Sequence, residues 1–212
     1  MAPFAGLAWD WANYLGYLGL AIVMLLFSYA GRPRTFPPFS GRFFANLHRD
    51  LGYLALLVVA AHVGLLLVAE PLLLEHLKPS APLYMLAGLL ASLLLLVLVV
   101  SSITRLRRRV WPDYQRFKRL HAWLAIACVA FIGWHVAGSR FYLNTELKLA
   151  LAGVAVATLP GYYLKARLGT RRNVRFASRL RDTAAYSHLV SCGAVLLLSV
   201  IALAVVWLRL PE

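Results

Sequence analysis

The sequence predicts an all-α membrane protein, a six-transmembrane-helix bundle. Three observations predict it: long apolar runs, few charges, and basic residues confined to alternate connections. Of the 212 residues 61% are hydrophobic and 14% are charged, and the mean hydropathy is +0.72. A soluble core does not need so large an apolar share, whereas a run of about 20 apolar residues is long enough to cross a bilayer. Little sequence lies outside these runs, so we expect a single domain, residues 1–212, without a soluble catalytic domain.

Six apolar segments are predicted to span the membrane. Their approximate limits are 11–30, 50–69, 83–103, 119–138, 146–164 and 188–208. The connections after spans 1, 3 and 5 hold eighteen of the 22 Lys and Arg residues. Cytoplasmic connections of membrane proteins carry such an excess, so these three are predicted to be cytoplasmic and both termini external. The same rule accounts for most of the net charge of +14, and nucleic-acid binding is not needed to explain it.

Spans 2 and 4 carry the same histidine pattern. The first reads HRDLGYLALLVVAAH from His48 to His62, and the second reads HAWLAIACVAFIGWH from His121 to His135. Fourteen helical steps of about 100° nearly complete four turns, so the two histidines of each helix face the same way, about 21 Å apart along its axis. A histidine in lipid is costly and rarely without a function.

Both spans begin at the same membrane face, so they are predicted to run parallel. His48 then lies level with His121, and His62 lies level with His135. We expect the first pair to bind an inner haem iron from both sides and the second pair to bind an outer one. The residues between the histidines are mostly small and leave flat room for a porphyrin. They are Gly52, Ala55, Val59, Ala125, Cys128 and Ile132.

The alternative to haem ligation is that these are core histidines beside small residues at a helix contact, which membrane helices favour anyway. Two pairs with one spacing, using four of the six histidines in the chain, favour ligation. His188 opens span 6 and is interpreted as a helix-end residue. The two cysteines, Cys128 and Cys192, are interpreted as small packing residues of their spans.

Several basic and polar residues are candidates for lesser sites. By depth alone, those expected near the inner haem propionates are Arg42, Arg49, Lys118 and Arg119, and those near the outer ones are Arg140 and Tyr142. The connection 104–120 mixes basic and aromatic residues, which favours contact with anionic membrane lipid. Docking of an acidic flavoprotein or a nucleotide is the alternative. The external segment 70–82 contains Glu70, Glu75, His76 and Lys78 and is interpreted as a solvated loop, not a metal or partner site.

The paired histidines, each after a polar and basic connection, resemble the ferric-reductase-like transmembrane domain. This superfamily includes NADPH oxidases, ferric reductases, STEAP proteins and the haem-binding membrane subunit of the bacterial periplasmic methionine sulfoxide reductase. The stretch QRFKRLHAWLAIACVAFIGWH (115–135) is most similar to that last subunit. NLHRDLGYLALLVVAAH (46–62) is more similar to the oxidases and ferric reductases.

The resemblance implies two b-type haems that carry electrons from a cytoplasmic donor to an external acceptor, which makes an oxidoreductase of a bacterial inner membrane the expectation. Oxidases of the family have a flavin domain after the last span. This sequence ends at Glu212 without one. We therefore expect the donor to be a separate flavoprotein reductase, a reduced flavin (FMN or FAD) at the cytoplasmic face, or a quinol. The open acceptors are ferric ion, oxygen and a periplasmic redox protein.

Two other classes of protein compete with this interpretation. A quinol-handling cytochrome b also uses paired histidines, but a polar quinone pocket is not evident in the sequence. A transporter or a non-redox scaffold is disfavoured because spans 1, 3, 5 and 6 hold almost no charge that could line an ion pathway.

Overall fold

The structure is a computed structural model that describes residues 6–28, 41–140, 145–147, 150, 153–154 and 193. The regular elements of these residues are all helical. They are α1 (Leu7–Ser28), α2 (Gly41–Ala69), a 3₁₀ helix (Pro71–Leu77), α3 (Leu83–Ser102), α4 (Thr104–Val110) and α5 (Tyr114–Ser139). The predictions for spans 5 and 6, and those for Tyr142, His188 and Cys192, lie outside the described residues.

Four of the described helices, α1, α2, α3 and α5, are long and apolar enough to cross a membrane. They match the first four predicted spans, so the all-helical, multi-span class is confirmed for this part of the chain. Large apolar side chains such as Leu57, Leu93, Val97 and Trp123 are exposed. In a bilayer these side chains would face lipid, where their exposure has no hydrophobic cost.

Two helix boundaries differ from the prediction. The second span was predicted to begin near residue 50, but α2 begins at Gly41. Phe43, Phe44 and Leu47 in its first turns are buried in the core, and this burial extends the helix beyond the membrane span. Similarly, α5 begins at Tyr114 because the Asp113 side chain accepts hydrogen bonds from the backbone N–H groups of the first turn, which is the usual N-cap arrangement.

The connections contain short helices that the sequence analysis did not predict. The basic connection after α3 forms α4, and the external segment forms the 3₁₀ helix. Glu75 and Lys78 form an exposed ion pair in that segment, as expected for a solvated loop.

The long helices are arranged as two antiparallel pairs. α1 packs along α2, and α3 packs along α5, whereas the contact between α2 and α3 is smaller. The two helices that carry the histidines, α2 and α5, do not pack extensively against each other. A core of apolar residues, among them Ile22, Phe44, Ala55, Leu95 and Cys128, joins the two pairs. This arrangement leaves a cavity between the histidine helices at the end that carries His48 and His121.

Candidate functional site

The structure brings His48 of α2 together with His121 of α5. Their ring centres are 6.2 Å apart and the ring planes meet at 61°. A metal–imidazole bond of about 2.0 Å, plus about 1.1 Å from the nitrogen to its ring centre, requires about 6 Å between two rings on opposite sides of one metal ion. The observed separation therefore suits two axial ligands of one iron.

The second pair lies at the other end of the same two helices. His62 and His135 are close enough for their charges to interact. α2 and α5 therefore run parallel, as the assignment of both span starts to one membrane face predicted. These two places are the His48–His121 level and the His62–His135 level.

A cavity of about 490 Å³ lies at the His48–His121 level. Both histidines line it, together with the small residues Gly52, Ala125 and Cys128 of the predicted porphyrin lanes. Its volume is within the range of about 300–1,000 Å³ that is usual for cofactor sites. Ala55 and Val59 do not line it. Ala55 is buried in the core, and the Val59 side chain lies against Gly19 of α1.

Basic residues line the same cavity. They are Arg49, Arg107 and Lys118, of which Arg49 and Lys118 were predicted on depth alone and Arg107 was not. Arg49 is also paired with Asp50, with 3.2 Å between the guanidinium nitrogen and the carboxylate oxygen. Cationic side chains at this position would suit the carboxylates of a porphyrin.

The other predicted basic residues lie elsewhere. Arg42 and Arg119 are exposed and do not line the cavity. Arg140 is exposed at the His135 end of α5, where it adopts a left-handed conformation with φ 49° and ends the helix. A role for Arg119 or Arg140 toward a haem stays a prediction.

Three of the four histidines have a partner for Nδ1. His62 Nδ1 lies 2.6 Å from the Ala12 carbonyl oxygen of α1, and His135 Nδ1 lies 2.9 Å from the Tyr84 carbonyl oxygen of α3. A carbonyl oxygen can only accept a hydrogen bond, so Nδ1 carries the proton in both rings. The proton on Nδ1 leaves the Nε2 lone pair available to a metal.

The third histidine is oriented through a serine. The Ser102 hydroxyl donates to the Leu98 carbonyl oxygen at 2.6 Å, so its own oxygen can accept from His121 Nδ1, which is 3.4 Å away. Histidine ligands of metals usually have such a second hydrogen bond, which fixes the tautomer and the orientation of the ring. The histidine nitrogen atoms at both levels are therefore suited to bind a metal ion as axial ligands.

The structure also bears on the kind of metal centre. In the described part of the chain, no group of three or more His, Cys, Asp and Glu residues could hold a bare metal ion. A metal ion between only two imidazoles needs further ligands, and a porphyrin supplies four nitrogen atoms. Paired histidines beside a cavity of about 490 Å³ therefore fit a haem better than they fit a metal ion held by protein alone.

An aromatic stack extends from the start of α5 to this level. The rings of Tyr114 and Phe117 are stacked with centres 6.1 Å apart, and Phe117 lies 5.4 Å from the His121 ring. Arg107 lies 5.0 Å from the centre of the Tyr114 ring, and Lys118 lies 4.6 Å from it. These cation–π contacts join the basic surface to the cavity.

A second, smaller cavity of about 210 Å³ lies beside the first one. It is lined by Arg107, Arg108, Trp111, Pro112 and Tyr114. Arg107 and Tyr114 line both cavities, so the two cavities are neighbours. The sequence analysis singled out this connection but did not predict that it borders the histidine site.

The fold and the site define a multi-span helical membrane protein whose paired histidines on two parallel helices suit axial metal ligation. Residues 15–132 match the family model "Ferric reductase like transmembrane component". The match covers more than half of the chain, includes three of the four histidines and ends shortly before His135. The chain belongs to this ferric-reductase-like transmembrane family, as the resemblance predicted. Comparison with curated proteins and with solved structures gave no significant match.

The sequence analysis missed the residues that orient the histidines. Ala12 of α1 and Tyr84 of α3 act through their backbone carbonyl groups. Ser102 of α3 acts through its hydroxyl. A backbone carbonyl has no sequence signal. Ser102 could have been noted as a polar residue at the end of an apolar span, but its pairing with His121 depends on how α3 packs against α5.

Proposed function

We propose that this protein transfers electrons across a membrane through two b-type haems, one at each histidine level. The observation that supports this most directly is the presence of four histidines at two matched levels, with Nδ1 bonded within the protein at three of them. The family, whose description is that of a ferric reductase component, supports the redox class. When bound, a haem with two histidine ligands supplies a one-electron carrier without an open iron position.

The chain's own residues orient the ligands and exclude water. Hydrogen bonds donated by Nδ1 of His62, His135 and His121 keep Nε2 of these three rings directed away from the supporting helix. Between the two levels the helices present apolar side chains, among them Val58, Leu124 and Phe131, which belong to the core or pack against it. Fixing the irons, screening them from water and tuning their potentials are the contributions a protein makes to such a cofactor.

We place the donor at the basic end of the bundle. Arg107, Arg108 and Lys118 lie there, in a connection that the positive-inside rule puts in the cytoplasm. An acidic flavoprotein reductase or a reduced flavin (FMN or FAD) is the proposed donor, because a basic surface attracts anionic partners and aromatic side chains can stack on a flavin ring. Such attraction weakens with salt. A quinol is the alternative donor and would show no such dependence.

The acceptor is proposed to act at the His62–His135 level, on the external side of the membrane. Ferric ion, oxygen and a periplasmic redox protein are the candidates offered by the family resemblance. A methionine sulfoxide reductase would be one such redox protein.

The haem content of the purified protein tests the proposal. Extracted haem, quantified against protein, should give a ratio near two, and the oxidised protein should become reduced on addition of dithionite with the spectrum of a b-type cytochrome. A ratio near one would remove half of the ligand assignment. A colourless protein prepared with haem available would contradict the proposed function.

The orientation of the bundle can be tested by introducing one cysteine at a time and labelling it in intact cells. Ser80 lies between the 3₁₀ helix and α3, and Arg108 lies in α4; both are exposed. A membrane-impermeant maleimide should label Ser80→Cys from outside and should label Arg108→Cys only after the cells are opened. The unmodified chain controls for Cys128 and Cys192. The reverse result would invert the inner and outer assignments.

A further inference from the structure

Two glycines, one on each supporting helix, lie directly against the histidine rings of the His62–His135 level. A Cβ atom placed on Gly88 of α3 would be 2.6 Å from His135 Nδ1 and 2.9 Å from two carbon atoms of that ring. A Cβ atom placed on Gly16 of α1 would be 3.0–3.4 Å from three atoms of the His62 ring. Both sets of distances are shorter than the usual contacts of a Cβ atom, so a side chain at either position would press on the histidine ring.

The same two helices accept the hydrogen bonds of these rings. His62 Nδ1 bonds the carbonyl of Ala12, and His135 Nδ1 bonds the carbonyl of Tyr84. In each case the accepting residue lies four positions before the glycine. In an α-helix the carbonyl of one residue is covered by the residue four positions later, so a ring that reaches the carbonyl must pass over that later residue.

We propose that Gly16 and Gly88 are positioning residues for the outer haem: each lets a ligand ring lie against its helix and donate Nδ1–H to the carbonyl four residues before. The two cradles, Ala12–Gly16 under His62 and Tyr84–Gly88 under His135, repeat one geometry on two unrelated stretches of sequence. This proposal rests on the proposed haem function and adds to it the residues that set the ligand tautomer at one level.

The geometry gives the direction and the order of the effects. Gly88→Ala cannot be accommodated without displacing the His135 ring, whereas Gly16→Ala requires a shift of only a few tenths of an ångström. Loss of the Nδ1 hydrogen bond also makes an imidazole ligand less basic. A less basic ligand stabilises ferric iron less, so the reduction potential of a haem that is retained should rise.

The experiment measures haem content and a spectroscopic redox titration for four proteins: the unmodified chain, Gly88→Ala, Gly16→Ala and Gly64→Ala. Gly64 is the matched control, because it lies on α2 close to His62 and a Cβ there meets no atom within 4 Å. We expect Gly88→Ala to bind the outer haem about 10- to 100-fold more weakly, the usual cost of losing a residue that orients a metal ligand. Gly16→Ala should have the smaller effect, seen as a higher potential of the same spectral component.

The inner haem serves as the folding control, since its retention in Gly88→Ala shows that the bundle is assembled. If Gly88→Ala loses both haems, the milder Gly16→Ala decides: a shift confined to the outer component supports the proposal, and a titration identical to that of Gly64→Ala overturns it. If the unmodified chain binds two haems and neither glycine variant differs from Gly64→Ala, the cradle proposal is overturned. The proposed haem function is unaffected by that result. An unmodified chain without haem overturns the proposed function as well.

Discussion

Replacing His48 or His135 alone with alanine should stop electron transfer across a sealed membrane. The two residues belong to different levels, about 21 Å apart along the helices, and in the proposed route electrons use both levels to cross the apolar layer. The measurement is a proteoliposome in which the basic face is exposed to a flavin reductase and reduced nucleotide, with a ferric salt or a dye sealed inside. We expect acceptor reduction to fall to the rate of haem-free liposomes in each variant.

His76→Ala is the matched control, because His76 lies outside both histidine motifs, and it should retain the full rate. The spectra add a test of the pairing. His48→Ala and His121→Ala should lose one haem component, and His62→Ala and His135→Ala should lose the other. If His48→Ala and His135→Ala still pass electrons at the normal rate, the two-haem route is wrong. If His48→Ala and His62→Ala lose the same component, the parallel pairing of ligands is wrong.

Filling the cavity at the His48–His121 level should remove one haem and leave the other. Ala125 lines this cavity one helical turn after His121, so Ala125→Phe places a large ring where the porphyrin would lie. Haem content should fall from near two to near one per chain, and the lost component should be the one that His121→Ala removes.

Ala130→Phe is the control for this substitution. Ala130 is on the same helix, but it is exposed, so its ring would face lipid and both haems should remain. The haem retained at the His62–His135 level in Ala125→Phe reports that the bundle has folded. Two haems in Ala125→Phe would show that the cavity is not a haem site.

The four spanning helices of the described region could be predicted closely, because hydropathy and length are properties of short stretches of chain. Their limits were less predictable. Gly41 lies before the second predicted span, but the burial of Phe43 and Phe44 makes it the start of α2. Burial of that kind depends on residues distant in sequence, so no local pattern could have indicated it.

The candidate site was predicted in part. The histidine spacing and the predicted parallel direction of the two spans placed His48 with His121 and His62 with His135, and the structure has both proximities. Arg49 and Lys118 line the cavity as expected, whereas Arg107 was not predicted and Arg119 does not line it. Depth along a helix orders residues by level, but it does not specify which way a long basic side chain turns.

The sequence by itself determined the membrane class, the family and the two histidine levels. The membrane class follows from the apolar length of single stretches of chain, the family from the residues around the paired histidines, and the two levels from a spacing of fourteen residues within one helix. The tertiary structure decided how those histidines are held. The carbonyl groups of Ala12 and Tyr84 and the bare backbone of Gly16 and Gly88 matter only because α1 lies against α2 and α3 lies against α5. A carbonyl group is common to every residue, so its selection as a partner arises from helix packing alone.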